Sequence, residues 1–132
     1  MTIVYKMNAP LRAQDVSDVF RSAGMKRPVD DLERIQRMID HADATVSAWE
    51  NEQLIGIARA VTDFSYCCYL SDLAVHLDYQ KSGVGTELIA RMRDHLGDEV
   101  SMVLLSAPAA MEYYPRIGFK KAENAFLIPR GK

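Results

Sequence analysis

Apolar positions change period along the chain, and the changes divide it into elements. Ile3 to Met7 alternates weakly and reads as a first strand. After Pro10, Leu11, Val16, Val19, Phe20 and Ala23 recur at helical spacing, with Gly24 as the stop. Leu32, Ile35, Met38 and Ile39 make a second helical stripe. Asp30 or Asp31 can cap it, and Glu33 stands three after Asp30, as in a capping box. Thr45 to Trp49 and Leu54 to Val61 then read as a hairpin about Asn51-Glu52. Phe64 and Ser65 mark the next turn.

Tyr66 to Val75 is the longest apolar run and reads as a central strand. Val84, Leu88, Met92 and Leu96 are each four apart, with Ile89 beside them, so an amphipathic helix is expected up to Gly97. Val100 to Leu105 is continuously apolar, the pattern of a strand covered on both faces. Pro108 suits the first turn of a short helix. That helix is expected to end near Tyr114, because Pro115 disfavours helical geometry in the residue before it. Phe119 and Phe126 to Ile128 are expected as short closing strands. The order β, α, α, β, β, β, α, β, α, β, β predicts an α+β fold: a mostly antiparallel sheet of about seven strands with helices on both faces. No linker or repeat interrupts it, so residues 1–132 are read as one domain.

Composition narrows the function. The chain is 48% hydrophobic and 26% charged, which suits a globular domain with a core. A net charge of -2 argues against a nucleic-acid partner, which usually meets a strongly basic face. Cys67 and Cys68 are neighbours, so in a strand they point to opposite faces and read as reduced thiols. No metal is expected, since His41, His76 and His95 fit no zinc spacing. No apolar run resembles a signal peptide or a membrane span, and a reducing, cytoplasmic setting is the expectation.

The chemistry concentrates where the central strand gives way to the long helix. Gln80-Lys81-Ser82-Gly83-Val84-Gly85-Thr86 opens that helix. The first turn of a helix has backbone N–H groups without internal partners, and its dipole places positive partial charge there. A diphosphate satisfies both. A side chain at Gly83 or Gly85 would hold phosphate oxygens off those amides. Lys81 adds charge, and Ser82 and Thr86 add hydroxyls. The loop lacks the Gly-Lys-Ser/Thr of a Walker loop. It also lacks the third glycine of the dinucleotide fingerprint, where Leu88 stands.

These residues resemble the GNAT acetyltransferase superfamily. Gln80 to Gly85 is similar to its Gln/Arg-x-x-Gly-x-Gly/Ala loop, and Leu73-Ala74-Val75 to its Leu-x-Val strand end. Tyr113-Tyr114-Pro115-Arg116-Ile117-Gly118-Phe119 resembles its aromatic-Tyr-x-x-x-Gly-Phe signature. The three occur in the family's order. The resemblance implies acetyl-coenzyme A as cosubstrate. Its pantetheine would pair with backbone near Leu73 and Val75, and its pyrophosphate would lie on Gln80, Lys81, Ser82, Gly83, Val84, Gly85 and Thr86. It implies direct acetyl transfer to an amine of a small molecule or peptide. Tyr114, five before Phe119, would protonate the leaving thiolate, with Tyr113, on a different side of the helix, as the alternative. A homodimer paired through late strands is also expected.

Two positions depart from the family pattern. Ala107 stands where many members have an asparagine, and Tyr69 where some carry a glutamate base. The base is thus unassigned, and Asp72 reads as an ordinary strand-end carboxylate. A chain without a base could instead bind acetyl-coenzyme A as a sensor or interaction module. Other features have plainer readings: a surface pair of Glu112 with Arg116, a packed Trp49, and a solvated turn at Met25 to Arg27, inside the segment from Arg21 to Pro28 that the resemblance implies helps to shape the acceptor pocket.

Overall fold

The structure is a computed structural model that describes residues 2–132. Strand β1 spans Ile3–Met7, followed by helices α1 (Ala13–Ser22) and α2 (Leu32–Asp40). Strands β2 (Ala44–Glu50), β3 (Gln53–Thr62) and β4 (Cys67–Val75) form a meander. Helix α3 (Val84–Leu96), strand β5 (Ser101–Val103) and a single helical turn, α4 (Tyr113–Arg116), complete the order. The sheet runs β1-β2-β3-β4-β5, antiparallel except for the parallel pair β4–β5.

The two faces are covered differently. One carries α3: Val84, Leu88, Ile89, Met92 and Leu96 pack on Val46, Ala58, Cys68 and Leu70. Burying each large residue of that stripe is worth ~1.5–3 kcal/mol. The other carries α1 and α2, whose Val16, Val19, Phe20 and Ile35 meet Leu54, Ile57 and Ala74. The helical spacings read from the sequence thus correspond to real buried stripes. Asp31 caps α2 by accepting the amide of Arg34 at 3.1 Å. Trp49 packs beside the second cluster, its indole N–H donating to Ser47 Oγ at 2.8 Å.

A bulge in β4 decides which side chains face which helix layer. Arg59 pairs with Asp72 but Ala60 pairs with Leu70, so Ser71 is an extra residue. Before it, Cys68 and Leu70 face α3; after it, Leu73 and Val75 do, while Asp72 and Ala74 turn toward α1 and α2. Asp72 is therefore buried, not an ordinary strand-end carboxylate. Arg27 Nε donates to its Oδ1 at 2.6 Å, and Arg59 Nε donates to its Oδ2. Arg27 also donates to the carbonyl of Ser71, and Arg59 to the Ser71 hydroxyl. The turn at Arg27, read as solvated, is instead an anchor fastening the α1–α2 connection to the bulge.

Five expectations fail near the C-terminus. The sheet has five strands among the described residues, not seven. Phe119 follows Gly118 in a positive-φ conformation and donates its amide back to Tyr114 O at 3.1 Å, which is turn chemistry. Phe126 to Ile128 is exposed and unpaired; three residues ahead of Pro129, which lacks a donor, make few ladder bonds. Val100 to Leu105 shortens to Ser101–Val103 and is covered on one face only. Met102 and Leu104 pack toward α3, whereas Val103 and Leu105 are half-exposed. Finally, α4 continues through Pro115. A first-turn N–H has no internal acceptor, so proline sacrifices nothing there. Glu112 and Arg116 form no ion pair among the described residues, and the Asp30–Glu33 capping box gives way to the Asp31 cap alone.

Candidate active site

The site is built from the open edge of β4 and the helix start beyond it. β4 pairs with β5 at Cys67↔Ser101, Cys68↔Met102 and Tyr69↔Val103, and there the ladder ends. Its other edge stays paired with β3 to Val75. From Leu70 to Val75 the β5-facing side of β4 therefore carries strand backbone with no strand beside it, an edge that an extended chain can pair with. Leu73 and Val75 lie on this stretch. The wedge opens at Tyr69 and leads toward α3.

Between β4 and α3 the chain makes a short helical turn at Leu77–Tyr79, then a loop. Lys81 and Gly83 both adopt positive φ, with Gly83 at 86° as the N-cap of α3. A side chain at Gly83 would be strained there. Glu87 is the first amide to bond within the helix, to Gly83 O at 3.0 Å. The amides of Val84, Gly85 and Thr86 precede it and have no acceptor inside the helix. Of the loop residues expected at the phosphate, Lys81 and Gly83 are exposed, and Gly85 is half-buried. The other polar side chains serve the fold. Gln80 donates to Val75 O at 3.0 Å, Ser82 donates to Tyr79 O, and the Thr86 hydroxyl lies 2.9 Å from that of Tyr113. The backbone, with Lys81, is what the loop offers an anion.

Gly85 marks the meeting of strand, helix and tyrosine. A Cβ there would stand 3.2 Å from Tyr113 Oη, 3.7 Å from Val75 Cγ2 and 3.9 Å from Leu73 Cδ2. The structure thus brings Leu73, Val75, Gly85, Thr86 and Tyr113 together. Helical spacing predicts that Tyr113 points away from Tyr114 but does not indicate that it meets the loop. Tyr114 packs its ring edge-on against Phe119 at 5.5 Å and Tyr113 at 5.2 Å, half-buried beside the α3 cluster. Burial raises its pKa above the ordinary tyrosine value, with Tyr113 adding to the rise. Its hydroxyl makes no hydrogen bond among the described residues.

The remaining candidates separate cleanly. Cys67 is exposed and Cys68 buried, as opposite faces require, and burial pushes the Cys68 thiol up to about 11. No group of three metal-ligating side chains occurs among the described residues. No helix there is long and apolar enough to cross a membrane.

Comparison with known proteins bears on the fold and the family. A relative from Gracilaria tenuistipitata var. liui, an uncharacterised N-acetyltransferase ycf52, is 27% identical over 126 residues, covering 90% of this chain and 68% of the relative. A protein of unknown function from meticillin-resistant Staphylococcus aureus superposes with a TM-score of 0.84 at 20% identity, covering 98% of this chain and 100% of that one. An aminoglycoside N-acetyltransferase AAC(6')-Iy in complex with CoA superposes at 0.71 and 17% identity, covering 99% and 96%. At such identities the structural likenesses establish the fold alone. The family model of the acetyltransferase (GNAT) domain matches residues 13–127, nearly the whole chain, and the protein is therefore a member of the GNAT acetyltransferase family.

Proposed function

We propose that this chain binds acetyl-coenzyme A in the β4–β5 wedge and transfers the acetyl group directly to an amine. One observation carries the reading: a strand edge with no strand beside it from Leu70 to Val75, its last carbonyl taken by Gln80, leads to a helix start whose Val84, Gly85 and Thr86 amides have no acceptor inside the helix. An extended amide-bearing arm ending in a diphosphate fits both parts at once. Leu73 and Val75 would hold the arm. The amides from Gly83 to Thr86, with Lys81, would hold the phosphates. The complex of a structural neighbour with CoA supports the same ligand.

Acetyl-coenzyme A supplies a thioester. The chain's own part is to hold it beside the acceptor, which removes most of the entropy cost of their meeting. A C–N bond then forms as the C–S bond breaks; the amine loses one proton to water and the sulfur gains one. Tyr114 is suited to give that proton. Its raised pKa keeps it protonated through neutral pH, and its hydroxyl is uncommitted.

The test combines binding with turnover. Coenzyme A or acetyl-coenzyme A should raise the melting temperature, by about 2.7 kcal/mol of stabilisation at a hundredfold excess over Kd. A nicotinamide dinucleotide should do so much less. Acetyl-coenzyme A should also be consumed stoichiometrically with acetylated amine. Equal shifts from both ligands, or none, would remove the basis of the reading. Binding without any acetylated product from a broad amine panel would favour a sensor.

A further inference from the structure

The loop that opens α3 is tied to a distant strand through one tyrosine. Strand β2 sends Ala44, Val46 and Ala48 to the face that carries α3, while Trp49 joins the opposite cluster. Alternation therefore sends Glu50, the last residue of β2, to the α3 face. That end of the sheet is where α3 begins: Gly56, paired with Ala48, lies against Val84. The Glu50 carboxylate accepts the hydroxyl of Tyr79, whose half-buried ring packs beside the α3 cluster. Tyr79 in turn carries the loop. Its carbonyl accepts the hydroxyl of Ser82, and next to it Gln80 donates to Val75 O at 3.0 Å. Those two bonds flank Lys81, which holds a φ of 68° without being glycine. A residue keeps such a conformation when its surroundings over-determine it.

We propose that Glu50 and Tyr79 are positioning residues for the anion-binding loop, holding the backbone from Lys81 to Gly83 in the conformation that receives the donor's diphosphate. The proposal rests on the functional reading above and adds to it two residues outside the Gln80–Thr86 loop. The loop's own side-chain bonds are local: Gln80 reaches five residues back and Ser82 three. From Tyr79 to Gly83, only Tyr79 hydrogen-bonds to a distant element among the described residues, and its partner stands 29 positions away on β2. Without that bond the segment's hydrogen bonds reach only its own neighbours. A loop that must be ordered at the moment of binding gives up affinity, whereas one already shaped does not. The bond is also durable. Together with burial and the charges of Glu50 and Asp78, it raises the Tyr79 pKa, so the hydroxyl keeps its proton at neutral pH.

The experiment measures binding of three probes to the whole chain: coenzyme A, ADP and pantetheine. ADP carries the diphosphate without the arm, and pantetheine the arm without the diphosphate. Tyr79→Phe keeps the ring and deletes the hydroxyl; Glu50→Ala deletes its acceptor. Each should raise the calorimetric Kd of coenzyme A and of ADP about 5- to 20-fold, the scale of one hydrogen bond. The Kd of pantetheine, followed by NMR titration, should stay within about twofold. Glu50→Gln, whose amide oxygen still accepts from Tyr79, should keep coenzyme A within about threefold of the wild-type value. If pantetheine weakens as much as coenzyme A, the two residues support the fold at large and the proposal is overturned. It is equally overturned if neither Tyr79→Phe nor Glu50→Ala weakens coenzyme A, or if Glu50→Gln loses as much as Glu50→Ala. In each of these cases wild-type binding of coenzyme A leaves the functional reading standing. If the wild-type chain does not bind coenzyme A at all, both readings fall.

Discussion

Along its β3 side, β4 is paired from Cys68 to Val75, interrupted by the single extra residue Ser71. Along its β5 side it keeps three pairs and then runs free. The closed edge is held by more than its ladder. The bulge turns Asp72 inward, and Arg27 and Arg59 fasten it. The open edge has no such lock; beyond it stand Gly85, Thr86, Tyr113 and the half-buried Tyr114. One strand therefore meets two needs. A nearly continuous ladder on one side makes it rigid, and the other side keeps backbone with no strand beside it, the kind of edge an extended chain can pair with.

Substitutions on the two edges should accordingly divide into losses of rate, of stability and of ligand affinity. The largest expected effect is on the open side. Tyr114→Phe keeps the ring's packing on Phe119 and removes the proton, so kcat should fall about 10²–10⁴-fold with little change in coenzyme A affinity. Steady-state kinetics against the best acceptor decides it. Tyr113→Phe, which breaks the contact with Thr86, is the comparison; if it alone loses the rate, the acid is Tyr113.

Asp72→Ala attacks the closed edge. It leaves two poorly exposed guanidiniums without their carboxylate, and stability should drop by about 3–5 kcal/mol, read as the urea midpoint. An unchanged midpoint would mean that the cluster is solvated in solution. Gly85→Val should act the other way round. Its side chain would enter the space shared by Tyr113, Val75 and Leu73, raising the coenzyme A dissociation constant at least tenfold while the fold survives. Should calorimetry show an unaltered constant, the donor does not pass between α3 and β4.

The smallest effect lies in the β3–β4 turn. The amides of Ser65, Tyr66 and Cys67 hold the Asp63 carboxyl at about 2, below its ordinary 3.8. Because the folded pKa is the lower one, this stabilisation is present above about pH 4 and is lost as pH falls toward 2. Asp63→Asn should flatten the acid limb of the stability profile between those values. An identical limb in both proteins would show that the turn does not persist in acid.

Much of the N-terminal body was legible in the pattern of residues. The stripes Val16–Val19–Phe20 and Val84–Leu88–Met92 became buried faces because helical spacing determines which side chains share a side, whatever the fold around them. β1 keeps its predicted bounds because strand alternation is equally local. Gly83 was readable as a helix start by residue type alone. The C-terminal third was less legible. An apolar run such as Val100 to Leu105 reports a preference for burial but not how many layers are available, and α1 and α2 do not reach β5.

What the sequence determined by itself was therefore the order of elements through β5, the inward stripe of each helix and the helix start at Gly83. These depend on neighbours within a few residues. The tertiary structure alone decided that Asp72 lies between Arg27 and Arg59, and that Tyr113 touches Thr86. It also decided that Val61, Tyr69 and Val103 line up on a bare face. Each of those depends on register between distant segments, and one extra residue, Ser71, reverses the facing of the β4 residues after it. No local pattern announces a bulge, since its effect appears only when two strands are laid side by side.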